Sequence, residues 1–180
     1  MTGLYARWMD RWERKLATRD TNRVVRPFEW GTDWLHQIGF PPFRSDANGN
    51  SAACLDQFIG EALADSDRFY SYAVPTDFRL CGSELTFNSP VRSGYPENDT
   101  VYAQWFPTPK DRGRALVVLP QWNSGPDGHV GLAKLLNRFG ISALRMTMAY
   151  HAERKPGELQ RAEYHVSSNL GRTIHANRQS

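Results

Sequence analysis

Cysteine is nearly missing. Cys54 and Cys81 are the only two in 180 residues, and neither belongs to a CxxC pair or has a histidine at ligand spacing. That excludes a disulfide framework and a cysteine-based zinc site, and it leads us to expect two buried thiols in a reducing compartment. Long hydrophobic runs are missing too. No stretch approaches the roughly 20 apolar residues that span a bilayer, and the first residues lack the roughly 7 to 15 apolar residues of a secretory signal. We therefore expect no integral membrane segment and a cytoplasmic location. Neither G-x-G-x-x-G nor G-x-x-x-x-G-K-[ST] occurs, which leaves a nucleotide-binding reading without its phosphate cradle. The formal charge is +3 and the pI near 9.0, but the two ends are basic, the middle is acidic, and no long run carries one sign. No nucleic-acid partner is expected. Glu153, Glu163 and His165 invite a metal reading, yet an i, i+2 pair on a loop is weak ligand geometry, so we expect no metal and no cofactor.

What is present is apolar and aromatic. Forty per cent hydrophobic and 12% aromatic residues suffice for a folded core. The stretch Arg114 to Tyr150 organises the chain: ALVVLP, a polar Gly-rich loop QWNSGPDGH, VGLAKLLNRF, Gly140 and ISALRMTMAY. Ala115 to Leu119, apolar without alternation, predicts a strand buried on both faces. Leu132, Leu135, Leu136 and Phe139 fall at i, i+3, i+4 and i+7 and predict one core-facing helical stripe. Gly140 suits a left-handed helix stop, and Ile141 to Met148 reads as a second strand. The result is a βαβ unit whose strand-to-helix loop is where such sheets place their chemistry.

Elsewhere the periodicity predicts a helix over 3–18, with Leu4, Trp8, Trp12 and Leu16 recurring every four residues beside Tyr5. We read that stripe as the face packed onto the domain or a partner subunit, and hence as a candidate homo-oligomer contact. The competing picture, a basic amphipathic helix on a membrane surface, is weakened because Asp10 and Glu13 interrupt the basic face. Residues 20–50 read as an aromatic-anchored irregular segment. Asn50 or Ser51 caps a helix carrying Leu55, Phe58, Ile59, Ala62 and Leu63. Leu85 to Phe87 and Val101 to Phe106 predict an antiparallel pair at the sheet edge, separated by turn-forming residues. After Tyr150 comes a long polar connection, and Asn169 caps a last helix bearing Leu170 and Ile174.

Two edge strands, then a strand, a small-residue loop, a helix and a strand resemble the start of the α/β-hydrolase fold. VVLPQWNSGPDGH, ISALRMTMAYH and NLGRTIHANRQS together resemble a poorly characterised bacterial branch of that superfamily, over roughly residues 80–180. The resemblance implies an α/β fold class: the N-terminal part of an α/β-hydrolase fold, a mixed sheet with antiparallel edge strands and a central βαβ unit. Residues 1–70 would be a helical, aromatic-rich N-terminal extension, and 71–180 an incomplete hydrolase-like core. In that family the loop after the third strand supplies an oxyanion-hole N–H. Here Pro120 and Gln121 stand where His and Gly are usual, so Trp122, with Gln121, is the implied oxyanion donor. Asn123, His129, Tyr150 and His151 are candidate pocket-lining residues, whereas His36, His165 and His175 read as surface or packing residues. No G-x-S-x-G occurs, so no catalytic residue is expected in this chain. The nucleophile, acid and base are expected beyond Ser180, and the substrate of the complete protein would be a small molecule with an ester or related acyl bond. The alternative is a non-catalytic interaction module that docks a partner through Trp8, Trp12, Trp30 and Trp34.

Overall fold

The computed structural model describes residues 2–18, 26–44, 49–109 and 113–180. Five strands form one sheet: β1 (Arg79–Cys81), β2 (Glu84–Asn88), β3 (Thr100–Phe106), β4 (Ala115–Val118) and β5 (Ser142–Met146), in spatial order β1-β2-β3-β5-β4. The first three pair antiparallel in sequence, β3 also runs antiparallel to β5, and β4 lies parallel to β5. The protein is thus mixed α/β, with the antiparallel β2–β3 pair and the βαβ unit where the patterns place them. The short strand β1, too brief to show alternation, is an addition that moves the β2–β3 pair one place in from the edge.

Helix α6 (Val130–Arg138) joins β4 to β5. Its end follows from one glycine. Gly140 has φ 71°, its N–H reaches the carbonyl of Asn137, and the N–H of Ile141 reaches that of Leu136. This is the paired 5→2 and 6→1 closure of a Schellman stop, which a residue with a Cβ adopts only under strain.

The remaining helices are α1 (Thr2–Ala17), α2 (Thr32–Ile38), α3 (Ser51–Ala64), α4 (Ser66–Tyr70), the single turn α5 (Pro96–Asp99) and α7 (Leu170–Gln179). Asn50 caps α3 by accepting from Ala53 N–H, and Asn169 caps α7 by accepting from Arg172 N–H at 2.8 Å. A core of Leu35, Ile38, Leu55, Phe58 and Phe69 is closed by Leu170 and Ile174 of α7. Helix α2 lies within the stretch expected to be irregular. It is only seven residues long and is bounded by Gly31 and Gly39, both with positive φ. A Cβ on Gly171 would strike the Gly31 carbonyl. The α2–α7 approach therefore depends on a glycine at each side.

Four expectations about burial fail. The segment expected to be buried on both faces, Ala115 to Leu119, supplies the edge strand β4: Leu116 and Val117 are 49% and 59% exposed, and only Val118 is buried at 6%. The predicted stripe on α6 is split: Leu132, Leu135 and Phe139 are exposed, while half-buried Leu136 and buried Ala133 pack with Val118 and Ala143. An apolar run shows that a segment tolerates cover; it does not supply the covering element. The third failure is α1, whose Leu4, Tyr5, Trp8, Trp12 and Leu16 are all exposed instead of packed on the domain. The fourth concerns the thiols, which are not both buried: Cys54 is half-buried and Cys81 is exposed on the short strand β1, and neither forms a disulfide. Among the described residues no helix is long and apolar enough to cross a membrane.

Candidate functional site

The loop from Gln121 to His129 leaves β4 at the carboxyl end of the parallel pair, and β5 delivers Tyr150 and His151 to the same end. Three braces hold the loop. From β5, Arg145 donates Nε to the Gly128 carbonyl at 2.7 Å and Nη2 to that of Gly125 at 3.2 Å. The side chain of Asn123, a residue at φ 58°, accepts from Ala162 N–H at 3.2 Å, and Trp122 Nε1 donates to the Ala162 carbonyl at 3.2 Å. His151 completes the set: its Nε2 accepts the backbone N–H of Asn123 at 2.9 Å, and its Nδ1 lies 2.8 Å from the Ala149 carbonyl. Since an amide can only donate, Nε2 must be the acceptor, and the proton sits on Nδ1. His151 is thus a neutral clamp, and a proton on Nε2 would turn donor against donor.

The surroundings favour that neutral form. Burial lowers the His151 pKa below its ordinary value and the neighbouring Arg154 lowers it further, against the Ala149 hydrogen bond, which raises it. The ring of His165 packs edge-on at 5.0 Å. Its pKa is lowered to about 4, first by burial and then by His151.

Behind the loop lies a buried polar network that sequence reading missed. Asn98 accepts Tyr150 N–H at 2.8 Å and donates to Ser93 Oγ at 2.9 Å and Gln179 Oε1 at 2.6 Å. Arg154, 1% exposed, donates Nε and Nη2 to the Asn98 carbonyl at 3.0 and 2.9 Å and Nη1 to the Thr147 carbonyl at 2.9 Å. Burial lowers its pKa to about 10, while Asp99 and Tyr150 act in the opposite sense, so it stays charged at neutral pH. Asn98 also fixes Tyr150, which holds φ 62° and is fully buried, a backbone state that costs on the order of 1 kcal/mol or more. With its ring edge-on to Tyr95 and Tyr164, burial pushes the Tyr150 hydroxyl up to about 12.

Asn123, Ser124, Tyr150, His151, Lys155 and Arg161 line part of a cavity of about 290 Å³ at this end of the sheet. Of the candidate lining residues, Asn123, Tyr150 and His151 are thus brought together. His129 is not. It initiates α6 at φ 65° and lies outside this cavity. Gln121 and Trp122 open the loop without lining the cavity, and the Trp122 ring carries the Arg161 guanidinium 5.3 Å from its centroid. Their backbone N–H groups have no hydrogen-bond acceptor among the described residues. His165 and His175 are buried packing groups, and His36 is exposed.

Chemically, the site is a rigid set of donors. His151 is hydrogen-bonded at both ring nitrogens, so a proton could enter at Nε2 only by breaking the bond to the Asn123 amide. Among the described residues no serine hydroxyl is hydrogen-bonded to an imidazole, and no three His, Cys, Asp or Glu side chains converge to hold a metal. The signal for Arg145 was visible in retrospect, as a lone cation within an apolar strand. Asn98 and Arg154 sit in segments that read as turn and polar connection, and nothing local distinguishes them. No protein-family model matches the chain, and no curated protein matches it significantly.

Proposed function

We propose that this chain carries the oxyanion side of a serine hydrolase of the α/β-hydrolase type, acting on an ester or related acyl bond. The nucleophile would come from sequence following Ser180. The observation that carries this reading is the loop after β4. Arg145, His151 and Ala162 secure its carbonyls, one amide and its side chains, yet the N–H groups of Gln121 and Trp122 have no acceptor among the described residues. Fixed donors of that kind stabilise the negative oxygen of a tetrahedral intermediate, each by about 3 kcal/mol. Two further features support it. The loop leaves the carboxyl end of a parallel pair, where open α/β sheets bind ligands. The uncovered β4 edge also offers its backbone groups and its apolar Leu116 and Val117 to a further strand. In the family this sequence resembles, such a strand leads into G-x-S-x-G.

Labelling with a fluorophosphonate serine probe tests the proposal. The 180-residue chain should take no label. A polypeptide continuing in the same reading frame should take it at a serine within G-x-S-x-G, and lose it on Ser→Ala substitution. Label on the present chain, or a continuation of some 40 residues without that motif, refutes the assignment. In the longer protein Trp122→Pro, which deletes the amide proton, should lower kcat about 100-fold.

A further inference from the structure

Helix α1 has an apolar face that nothing among the described residues covers. At 3.6 residues per turn, Leu4, Tyr5, Trp8, Met9, Trp12 and Leu16 share an arc of about 140°. Exposure runs from 82% at Leu4 to 39% at Leu16, with Met9 half-buried. Charge is distributed unevenly around that arc. Arg7, Arg11, Arg14 and Lys15 crowd the border beside Leu4 and Trp8, and Asp10 and Glu13 lie toward the opposite side. Arg14 holds Asp10 through its Nε at 3.0 Å. The pair neutralises the acid nearest the cationic border, which leaves Arg7, Arg11 and Lys15 with no ion-pair partner among the described residues.

We propose that α1 seats this protein on an anionic lipid surface, with its aromatic arc in the interface and Arg7, Arg11 and Lys15 at the headgroups. Tyrosine and tryptophan prefer the boundary between headgroups and acyl chains because each ring has an apolar body and a polar edge. Arginine and lysine stems lie along apolar surface while their charges stay in water. A strongly amphipathic helix of low overall hydrophobicity with cations beside the apolar face has the composition of an interfacial helix. The helix is too short and too charged to span. A coiled coil with a second copy fits less well. Sixteen residues are barely two heptads, and the arc is wider than an a/d seam and built from bulky indoles. The proposal does not depend on the hydrolase reading, since it requires no active site.

Co-sedimentation of the full chain with sucrose-loaded vesicles, followed by tryptophan emission, tests it. Vesicles of phosphatidylcholine with about a third phosphatidylglycerol should bind the chain and shift its emission to the blue. Pure phosphatidylcholine should bind it roughly tenfold more weakly, as expected for two net charges in the surface potential. Trp8→Ala with Trp12→Ala should weaken anionic binding about tenfold or more, and Arg7→Gln with Arg11→Gln should erase most of the preference for anionic lipid. Both pairs are exposed, so far-UV circular dichroism should stay unchanged. Equal binding to both vesicle types, no binding to either, or undiminished binding by the double Trp variant overturns the proposal. So does a dimer in sedimentation velocity that Trp8→Ala with Trp12→Ala dissolves while vesicles leave the chain unbound.

Discussion

Acid should loosen this fold through imidazoles that are buried without their charge. His165 is the clearest case, with its pKa at about 4 against an ordinary 6.5. In the unfolded chain it takes up a proton as the pH falls through 6.5, while in the fold it resists until about 4. The unfolded state therefore binds more protons throughout that window. The stabilisation is complete above pH 6.5 and drains away as the pH drops through the folded value. Between the two limits the difference is worth roughly 3 kcal/mol. By about pH 5 some 2 kcal/mol would be gone, which screening by water around the ring reduces to about 1 to 2 kcal/mol. His151 and His175 are lowered in the same direction, each chiefly by burial, and add to the loss. Urea titrations monitored by tryptophan emission, from about pH 7.5 to about pH 5, stay above the range in which ordinary carboxylates take up protons. The midpoint should fall with pH in the wild type, and His165→Asn should flatten the slope whatever it does to absolute stability. A midpoint independent of pH, or an identical slope in His165→Asn, would refute the reasoning.

Two other substitutions probe the scaffold behind the loop. Arg154→Met keeps the apolar volume but strands the carbonyls of Asn98 and Thr147. It should cost about 3 kcal/mol in chemical denaturation, and an unchanged midpoint would mean water replaces the guanidinium without loss. Gly171→Ala should separate α7 from α2, because its methyl group would collide with the Gly31 carbonyl. We expect a loss of about 2 kcal/mol or more, with increased amide exchange at Leu170 and Gly171, whose N–H groups bond Glu29 and Trp30. Wild-type protection at those two amides would contradict the close approach.

Local chemistry was legible in the sequence wherever one residue sufficed to decide it. Asn50 and Asn169 cap the helices that follow them, Gly140 stops α6, and the change from 3.6-residue to two-residue spacing separates helices from strands. These outcomes depend on backbone geometry within four or five residues. The loop after β4 was legible for the same reason, since strand, small residues and helix are adjacent in the chain. Burial was not. Leu116, Val117 and Leu119, with Leu132 and Leu135 of α6, carry core composition yet face outward, because exposure depends on which distant segment lies over them. The same holds for α1, whose tryptophan stripe looks identical in sequence whether it meets a core, a second copy or a lipid surface. His151 shows the divide within a single side chain. That it follows the second strand of the βαβ unit could be inferred from pattern alone, although β5 stops at Met146. Its tautomer, its neutrality and its grip on Asn123 were decided only when folding brought residues 28 positions apart to hydrogen-bonding distance.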